Sequence, residues 1–578
     1  MRIVQWAKKY SVQLIIIMVI ILVQCAFVSQ KEGYHMDELL SFELANAEYN
    51  PWIVPTQPVG RLAKFMHEEI DGDSIGETLR NLKDVVVDVI QNKGNSKLLC
   101  YKADVYEEPV WITREAFRDY VTTAKGDRFN YLSVYFNVKD DNHPPVHFML
   151  LHTISSLFPG KVAPIMGCVI NLAVLAGCAV LFMKLGGDLD RWGITPNGWG
   201  TYIGMAAALM YGCSQGATAS VLLIRMYGVM TFLCVLTFYL HLKKWQEKSF
   251  DRKNGWLIMV TVLGFLTQYF FLFYCLVLAL ATAVCLFVYS RKKELWIYIR
   301  SMLIAALLGV GIYPFAISDV FASSRGVEAL DNLTGGLADY ITRILRFGEI
   351  LFSRCFGNVW LGLVCVLGML LLGAGLFWKQ KTYRPLVIMT YVPVIGYFLL
   401  AAKMSPMYVD RYVMAAFPFV VAVMAMGLCF AVQKLSLIRE KAGKFLLLVL
   451  VFLFCGGHVL TYDGTYLYRG YEEQLKVAQS YGQLPCICLY EGSGYYDNLL
   501  EFSQYEKTLL VTPEELLERK DASDVMQMEE MVLLVKNIVS WESVQEILDK
   551  YGLEVTQVLI EDGACGDNVY LCKKELAR

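Results

Sequence analysis

Charge is scarce in this 578-residue chain: Asp, Glu, Lys and Arg make up 18% of it, where soluble domains carry about 25%. Beside 56% hydrophobic and 13% aromatic residues, that deficit excludes a disordered chain and argues against an ordinary soluble enzyme. A basic excess is lacking too. With 52 Lys and Arg against 54 Asp and Glu, the clustered cations that a nucleic-acid partner requires are missing, so no nucleic acid is expected. The sixteen cysteines never fall at zinc or iron–sulfur spacing. Several, such as Cys168, Cys234 and Cys429, lie in apolar runs, where a free thiol behaves as a small hydrophobe. Neither an internal repeat nor a low-complexity tract is present.

Long apolar runs are what the chain has in abundance. The first, 11–29, follows Arg2, Lys8 and Lys9 and begins like a signal sequence, but it lacks a convincing small-residue cleavage site. It reads as a retained span with its N-terminus inside. Further runs are 162–183, 192–224, 226–242, 254–290, 302–318, 355–378, 385–402, 412–433 and 445–462. As one helix 254–290 would be roughly 55 Å long, against a hydrocarbon core of about 30 Å. It is therefore expected to form two spans that turn near Gln268 and Tyr269.

The short run 143–158, HPPVHFMLLHTISSLF, is ambiguous, and the positive-inside rule decides it. If it lies in the interface without crossing, every basic loop falls on the cytoplasmic side. These loops carry Lys243 to Lys253, Arg291 to Lys293, Lys379 to Arg384, and Lys434 with Arg439, Lys441 and Lys444. Counting it as a span would put all four outside. The expectation is an α-helical polytopic membrane protein with about eleven transmembrane helices, N-terminus cytoplasmic and C-terminus extracytoplasmic. Residues 1–462 would form the membrane domain, with a large extracytoplasmic loop over 30–161, and 463–578 a separate extracytoplasmic α/β domain. That tail alternates strand-like runs (487–490, 531–535, 570–572) with helical ones (513–519, 541–551). Cys486, Cys488, Cys565 and Cys572 lie in it, and an oxidising face would permit a disulfide.

The few charges outside the basic loops are the candidates for chemistry. Asp37 and Glu38 follow the first span in an amphipathic stretch that would hold them at membrane level. Alternatively both merely cap that helix. Asp141 and His143 open the stiff DDNHPP entry to an apolar helix. His143 and His147, four apart, could share a helix face at metal-ligand spacing. For His147 and His152 a bond to headgroup or backbone is the preferred reading. Arg225, Lys403 and Arg411 interrupt or border apolar runs, where an ionisable group is costly and so marks a candidate site; the alternative is a snorkelling interface anchor. All of these charges reach the same leaflet, which suggests chemistry on an anionic lipid headgroup.

The order of DE after the first span, DNHPPVHFMLLHTISSLFPG, IRMYGVMTFLCVLTFYLHLKK, LTQYFFLFYCLVLALA and SPMYVDRYVMAAFPF resembles the GT-C glycosyltransferases. Within them it is similar to the bacterial branch related to protein O-mannosyltransferases and lipid A aminoarabinose transferases. The resemblance covers roughly residues 1–430, and the acidic-x-His-Pro-Pro stretch is its most specific part. It implies a catalytic acidic residue at Asp37, with Glu38 adjacent. It also implies a donor-headgroup segment at Asp141 and His143, and a donor pocket lined by Arg225, by Tyr227 in the same IRMYG motif, and by Arg411 with Tyr412; Lys403 joins the phosphate-binding cations. The first loop is expanded relative to that pattern, so acceptor contacts do not carry over.

The implied activity is transfer of a sugar from a polyprenyl-phosphate lipid to an acceptor hydroxyl of a glycan, lipid or protein on the extracytoplasmic face. Asp37 would take the hydroxyl proton while cations offset the charge growing on the leaving phosphate. No cofactor is required with certainty, and Asp37, Asp141 and His143 are compatible with a divalent metal. A lipid-linked-sugar flippase or transporter, or an oligosaccharide ligase using a pyrophosphate-linked donor, stands as the alternative, although the absence of repeats and the one-sided charges favour an enzyme.

Overall fold

The computed structural model describes residues 10–195, 198–436 and 440–574; Arg2, Lys8, Lys9 and Arg439 lie outside them. Two compact units divide the chain. The first comprises Met1–Gln30, Lys139–His147 and Gly167–Tyr466; the second comprises Lys31–Val138, Phe148–Met166 and Leu467–Arg578. The loop 30–161 is divided between the two units, Lys139–His147 grouping with the spans and Lys31–Val138 with the segment that starts at Leu467.

The first unit is helical and carries the membrane spans. Eight helices among the described residues are long and apolar enough to cross: Ser11–Val28, Pro164–Arg191, Phe270–Val288, Lys292–Ile312, Val359–Lys379, Lys381–Met404, Met414–Lys434 and Lys441–Leu460. The other three expected runs form the helices Trp199–Gly212, Tyr227–Gln246 and Gly255–Phe265. The 254–290 run does break, and Gln268 and Tyr269 lie between its two helices. Close helix approach depends on small residues. A Cβ on Gly186 would come within 2.3 Å of the Gly200 carbonyl and 2.8 Å of the Gly204 Cα, so the helices Pro164–Arg191 and Trp199–Gly212 touch backbone to backbone.

Between Gly212 and Tyr227 the chain is a broken helix. Its irregular backbone must find partners inside the protein, because lipid offers none. The Gln24 amide donates to the Gly212 carbonyl at 2.8 Å and to Thr218 Oγ1 at 3.1 Å. The Asn171 amide donates to the Val221 and Leu223 carbonyls at 3.3 and 2.8 Å. Those bonds hold open the break that carries Arg225. The helices Val146–Leu157 and Gly255–Phe265, with 12 and 11 residues, are each shorter at 1.5 Å per residue than a hydrocarbon core of about 30 Å.

The second unit contains a six-stranded mixed sheet in the order β1-β3-β2-β4-β6-β5. Its strands are β1 (Trp111–Thr113), β2 (Cys486–Leu489), β3 (Lys507–Val511), β4 (Glu530–Lys536), β5 (Leu553–Ile560) and β6 (Asp567–Lys574). β2 runs parallel to β3 and β4, and the remaining pairs are antiparallel. One face buries Ile487, Leu489, Leu509, Val511, Leu533 and Val535 with Val544 and Ile547 of the helix Trp541–Tyr551. The expected strands and helices of the tail are all present; β3, β5 and β1 were not anticipated. The first loop supplies β1 as an edge strand, with Ile112 opposite Thr508. All four tail cysteines are free thiols. Cys572 lies in the apolar core just described, and alternation along β2 turns Cys486 and Cys488 to the opposite face from Ile487 and Leu489.

Candidate functional site

In the first unit, four irregular segments bring the polar candidates together. Pro144 and Pro145 delay the helix start to Val146, so His143 stays outside it and does not share a helix face with His147. The Val146 amide bonds the Leu266 carbonyl at 3.0 Å, tying this entry to the turn that carries Gln268 and Tyr269. His143 Nδ1 lies 3.0 Å from Asp141 Oδ2. Burial pushes the Asp141 carboxyl up, but His143 and then Arg225 more than offset this and hold it below the ordinary carboxylate value. Asp141 is thus an anion at neutral pH. Burial, with Arg225 and His143 adding to it, pushes the His147 imidazole down to about 3, and His147 is a neutral, fully buried ring.

Arg225, 5% exposed, sits in the helix break two residues before Tyr227. The Tyr227 ring meets that of Tyr412 edge-on at 6.2 Å, and Phe270 packs on Tyr412 at 5.2 Å. The Tyr397 hydroxyl donates to the Tyr412 carbonyl at 2.7 Å. Arg411 lies over the Tyr412 ring, 5.4 Å from its centroid. Asp141, His143, Arg225, Tyr227, Arg411 and Tyr412 therefore lie on segments that converge within one unit.

Lys403 is engaged elsewhere: its ammonium donates to the Gly335 carbonyl at 2.7 Å and lies 5.1 Å from the Tyr340 ring centroid. A cavity of about 1450 Å³ in this unit is lined mainly by apolar side chains, with Thr195, Lys379, Thr390, Gln433 and Lys434 among the polar ones, and by none of the polar candidates.

Two further features of this unit were not read from the sequence. The Tyr269 hydroxyl donates to Asp319 Oδ2 at 2.6 Å, and Asp141 acts electrostatically on Tyr269. Arg354 Nε bonds Asp410 Oδ2 at 2.9 Å, its Nη1 reaches Asp463 at 3.1 Å and its Nη2 reaches Thr465 Oγ1 at 3.0 Å. The Tyr466 hydroxyl bonds the other Asp410 oxygen. Asp410 is thereby neutralised, and the turn Asp410–Tyr412 is fixed beside it. The signal available beforehand was the same cost argument that singled out Arg225: Arg354 directly precedes the apolar run 355–378.

In the second unit, the structure separates Asp37 from Glu38. The helix Met36–Asn46 starts with His35 as N-cap, whose Nδ1 accepts from the Asp37 amide while Glu38 Oε2 accepts from the His35 amide at 2.8 Å. The same Glu38 oxygen pairs with Lys31 at 3.0 Å, both side chains fully removed from solvent. Glu38 is consumed by that capping box and ion pair. The Asp37 side chain keeps 18% of its surface exposed, with Oδ2 3.5 Å from His35 Nδ1. Asp497, which follows β2, feels the charges of His35 and Asp37.

Of the three residues considered for a metal, Asp141 and His143 pair in the first unit while Asp37 belongs to the second. Among the described residues, the three carboxylate and imidazole groups with ligand atoms mutually within 4.8 Å are Glu48, His67 and Asp71.

No family model and no curated protein matches the chain. Among solved structures, ArnT from Cupriavidus metallidurans bound to undecaprenyl phosphate aligns over 74% of this chain and 88% of its own, with a TM-score of 0.52 at 10% identity. The apo state of that protein aligns over 80% and 91%, with a TM-score of 0.44 at 11% identity. This chain is a multi-pass membrane protein with the fold of ArnT.

Proposed function

We propose that the protein is a membrane glycosyltransferase that moves a sugar from a polyprenyl-phosphate donor to an acceptor hydroxyl on the extracytoplasmic face. The observation that carries this reading is Arg225, a buried cation in a helix break, electrostatically coupled to the Asp141–His143 pair. A buried guanidinium suits a lipid phosphate, which it can bind through two parallel bonds. Arg411 on the neighbouring turn adds a second cation. As the acceptor oxygen attacks the anomeric carbon and the phosphate leaves, these cations offset the charge growing on the leaving oxygen.

For the proton transfer the reading takes Asp37, the carboxylate outside the capping box, as general base. Lys403 is left out of the phosphate site because of its bond to Gly335. The orientation follows from the basic loops, which put the N-terminus in the cytoplasm. The likeness in fold to a protein crystallised with undecaprenyl phosphate supports a lipid-phosphate ligand.

The test is incubation of the purified protein with a radiolabelled polyprenyl-phosphate sugar and a panel of hydroxyl acceptors. Release or transfer of sugar that is lost in Arg225→Ala is the expected result. Binding of the lipid without turnover under all acceptors would overturn the enzymatic reading in favour of a lipid carrier.

A further inference from the structure

Within the second unit, away from the Asp37 helix start, two segments of the first loop bring Glu48, His67 and Asp71 together. Glu48 follows the end of the helix Met36–Asn46. His67 lies on a π-helical turn, Met66–Ile70, that continues the helix Arg61–Phe65, and Asp71 ends that turn. Wide turns of this kind are often placed where a side chain must be re-aimed for function. His67 Nδ1 lies 2.9 Å from Asp71 Oδ2 and its Nε2 3.8 Å from Glu48 Oε2, and one ligand atom from each residue falls within 4.8 Å of the others.

A fourth carboxylate points to a ligand here. Asp127 is 5% exposed. Its Oδ1 accepts from the Asn130 amide at 2.6 Å, while its Oδ2 is buried with no hydrogen-bond partner. That carboxylate interacts electrostatically with Glu48, His67 and Asp71. A buried carboxylate oxygen without a donor is costly, and its electrostatic interaction with two further carboxylates adds a cost that a cation would compensate.

We infer that Glu48, His67 and Asp71 bind a divalent transition-metal ion, with Asp127 as the supporting carboxylate behind them. The donor set selects the class: one imidazole with carboxylates suits zinc, whereas calcium and magnesium prefer all-oxygen shells. Tetrahedral zinc at about 2.0–2.1 Å from each ligand sets neighbouring ligand atoms roughly 3.3 Å apart. Because Asp71 and Glu48 approach different ring nitrogens of His67, binding requires the carboxylates to rotate toward one of them. The side chains of Glu48, His67 and Asp71 are 39%, 48% and 50% exposed, which leaves an entry path and a coordination position for water. The bound ion would pin the π-turn to the chain that follows the Met36–Asn46 helix.

The competing arrangement is a protonated His67 held by two carboxylates with no metal. The full-length protein in detergent is stripped with chelator, dialysed, and titrated with Zn²⁺ while bound metal and Tm are measured. The expected result is that His67→Ala loses one equivalent of zinc relative to the wild type, together with the zinc-dependent rise in Tm. Glu48→Gln, altered at a half-exposed side chain, provides the same readout if His67→Ala folds poorly. Asp127→Asn is expected to weaken zinc binding by about 10–100-fold, as loss of an outer partner of a metal site does. Equal zinc content and an equal Tm rise in wild type, His67→Ala and Glu48→Gln would overturn the inference.

Discussion

Lys31 and Glu38 form an ion pair at 3.0 Å with both side chains wholly shielded from water. Lys31 also lies 4.7 Å from the Tyr468 ring centroid, so the pair joins the start of the first loop to the start of the tail. Removing one partner of such a pair leaves an uncompensated buried charge, which costs about 3–5 kcal/mol. Glu38→Gln is therefore expected to lower Tm sharply, while Asp37→Asn, at a partly exposed side chain, leaves Tm nearly unchanged and abolishes sugar transfer. Equal thermal behaviour of the two variants would contradict the division of labour between these neighbouring acids.

The Arg354–Asp410 pair makes a similar prediction in the first unit. Asp410 accepts from both Arg354 and Tyr466, and Arg411 and Tyr412 follow it directly. Arg354→Met and Asp410→Asn should each destabilise, and the double variant should lose less than their sum, with a coupling of about 0.5–3 kcal/mol. Thermal unfolding of the four proteins in one detergent measures it. Strict additivity would mean that the pair does not hold the turn.

Such pairs explain what the sequence could and could not reveal. Span positions depend on local hydropathy, so the runs near 162–183 and 412–433 and the turn at Gln268 and Tyr269 were legible. The stiff polar entry at Asp141 and His143 was legible as well, because two prolines next to it leave few backbone choices. Arg354 and Asp463, by contrast, meet across 109 positions, and Trp111 and Asp524 across 413. Contacts at such separation leave no periodicity in the chain, and the strand β1, three residues long, is shorter than any alternation that could betray it. The splitting of Asp37 from Glu38 was also hidden, since both readings, site acids or caps, were open for each; the structure puts Glu38 in the capping box and the Lys31 pair, and the catalytic role of Asp37 belongs to the proposed reading.

Glu43 yields a pH prediction. Burial pushes its carboxyl well above the ordinary value, the Ile53 backbone opposing it, and Tyr120, Tyr495 and Tyr496 lie within range of its charge. The folded state thus binds this proton more tightly than the unfolded chain. Its contribution is fully present below the unfolded value near 4.5 and is lost as pH rises through the folded pKa. Glu43→Gln, always neutral, should gain Tm relative to the wild type as pH is raised from 5 to 8.5. Parallel Tm curves for the two proteins would rule the assignment out.

The last prediction concerns the tail. β3 is bonded on one side by β2 and on the other by β1 from the first loop. The same loop segment adds a bond from the Trp111 indole to Asp524 at 2.6 Å, a ring contact between Phe117 and Phe502 at 5.2 Å, and a bond from Arg114 to the Tyr505 carbonyl at 3.0 Å. Residues 467–578 alone would present β3 as a bare edge beside Phe502, which would lose its contact with Phe117. An unprotected edge of that kind pairs with another chain. The isolated tail is expected to associate in solution, whereas a version with residues 108–122 joined through a flexible linker is expected to be monomeric and to unfold at higher temperature. Light scattering coupled to size exclusion distinguishes the two, and a monomeric, equally stable isolated tail would show that the loop strand is dispensable to the sheet.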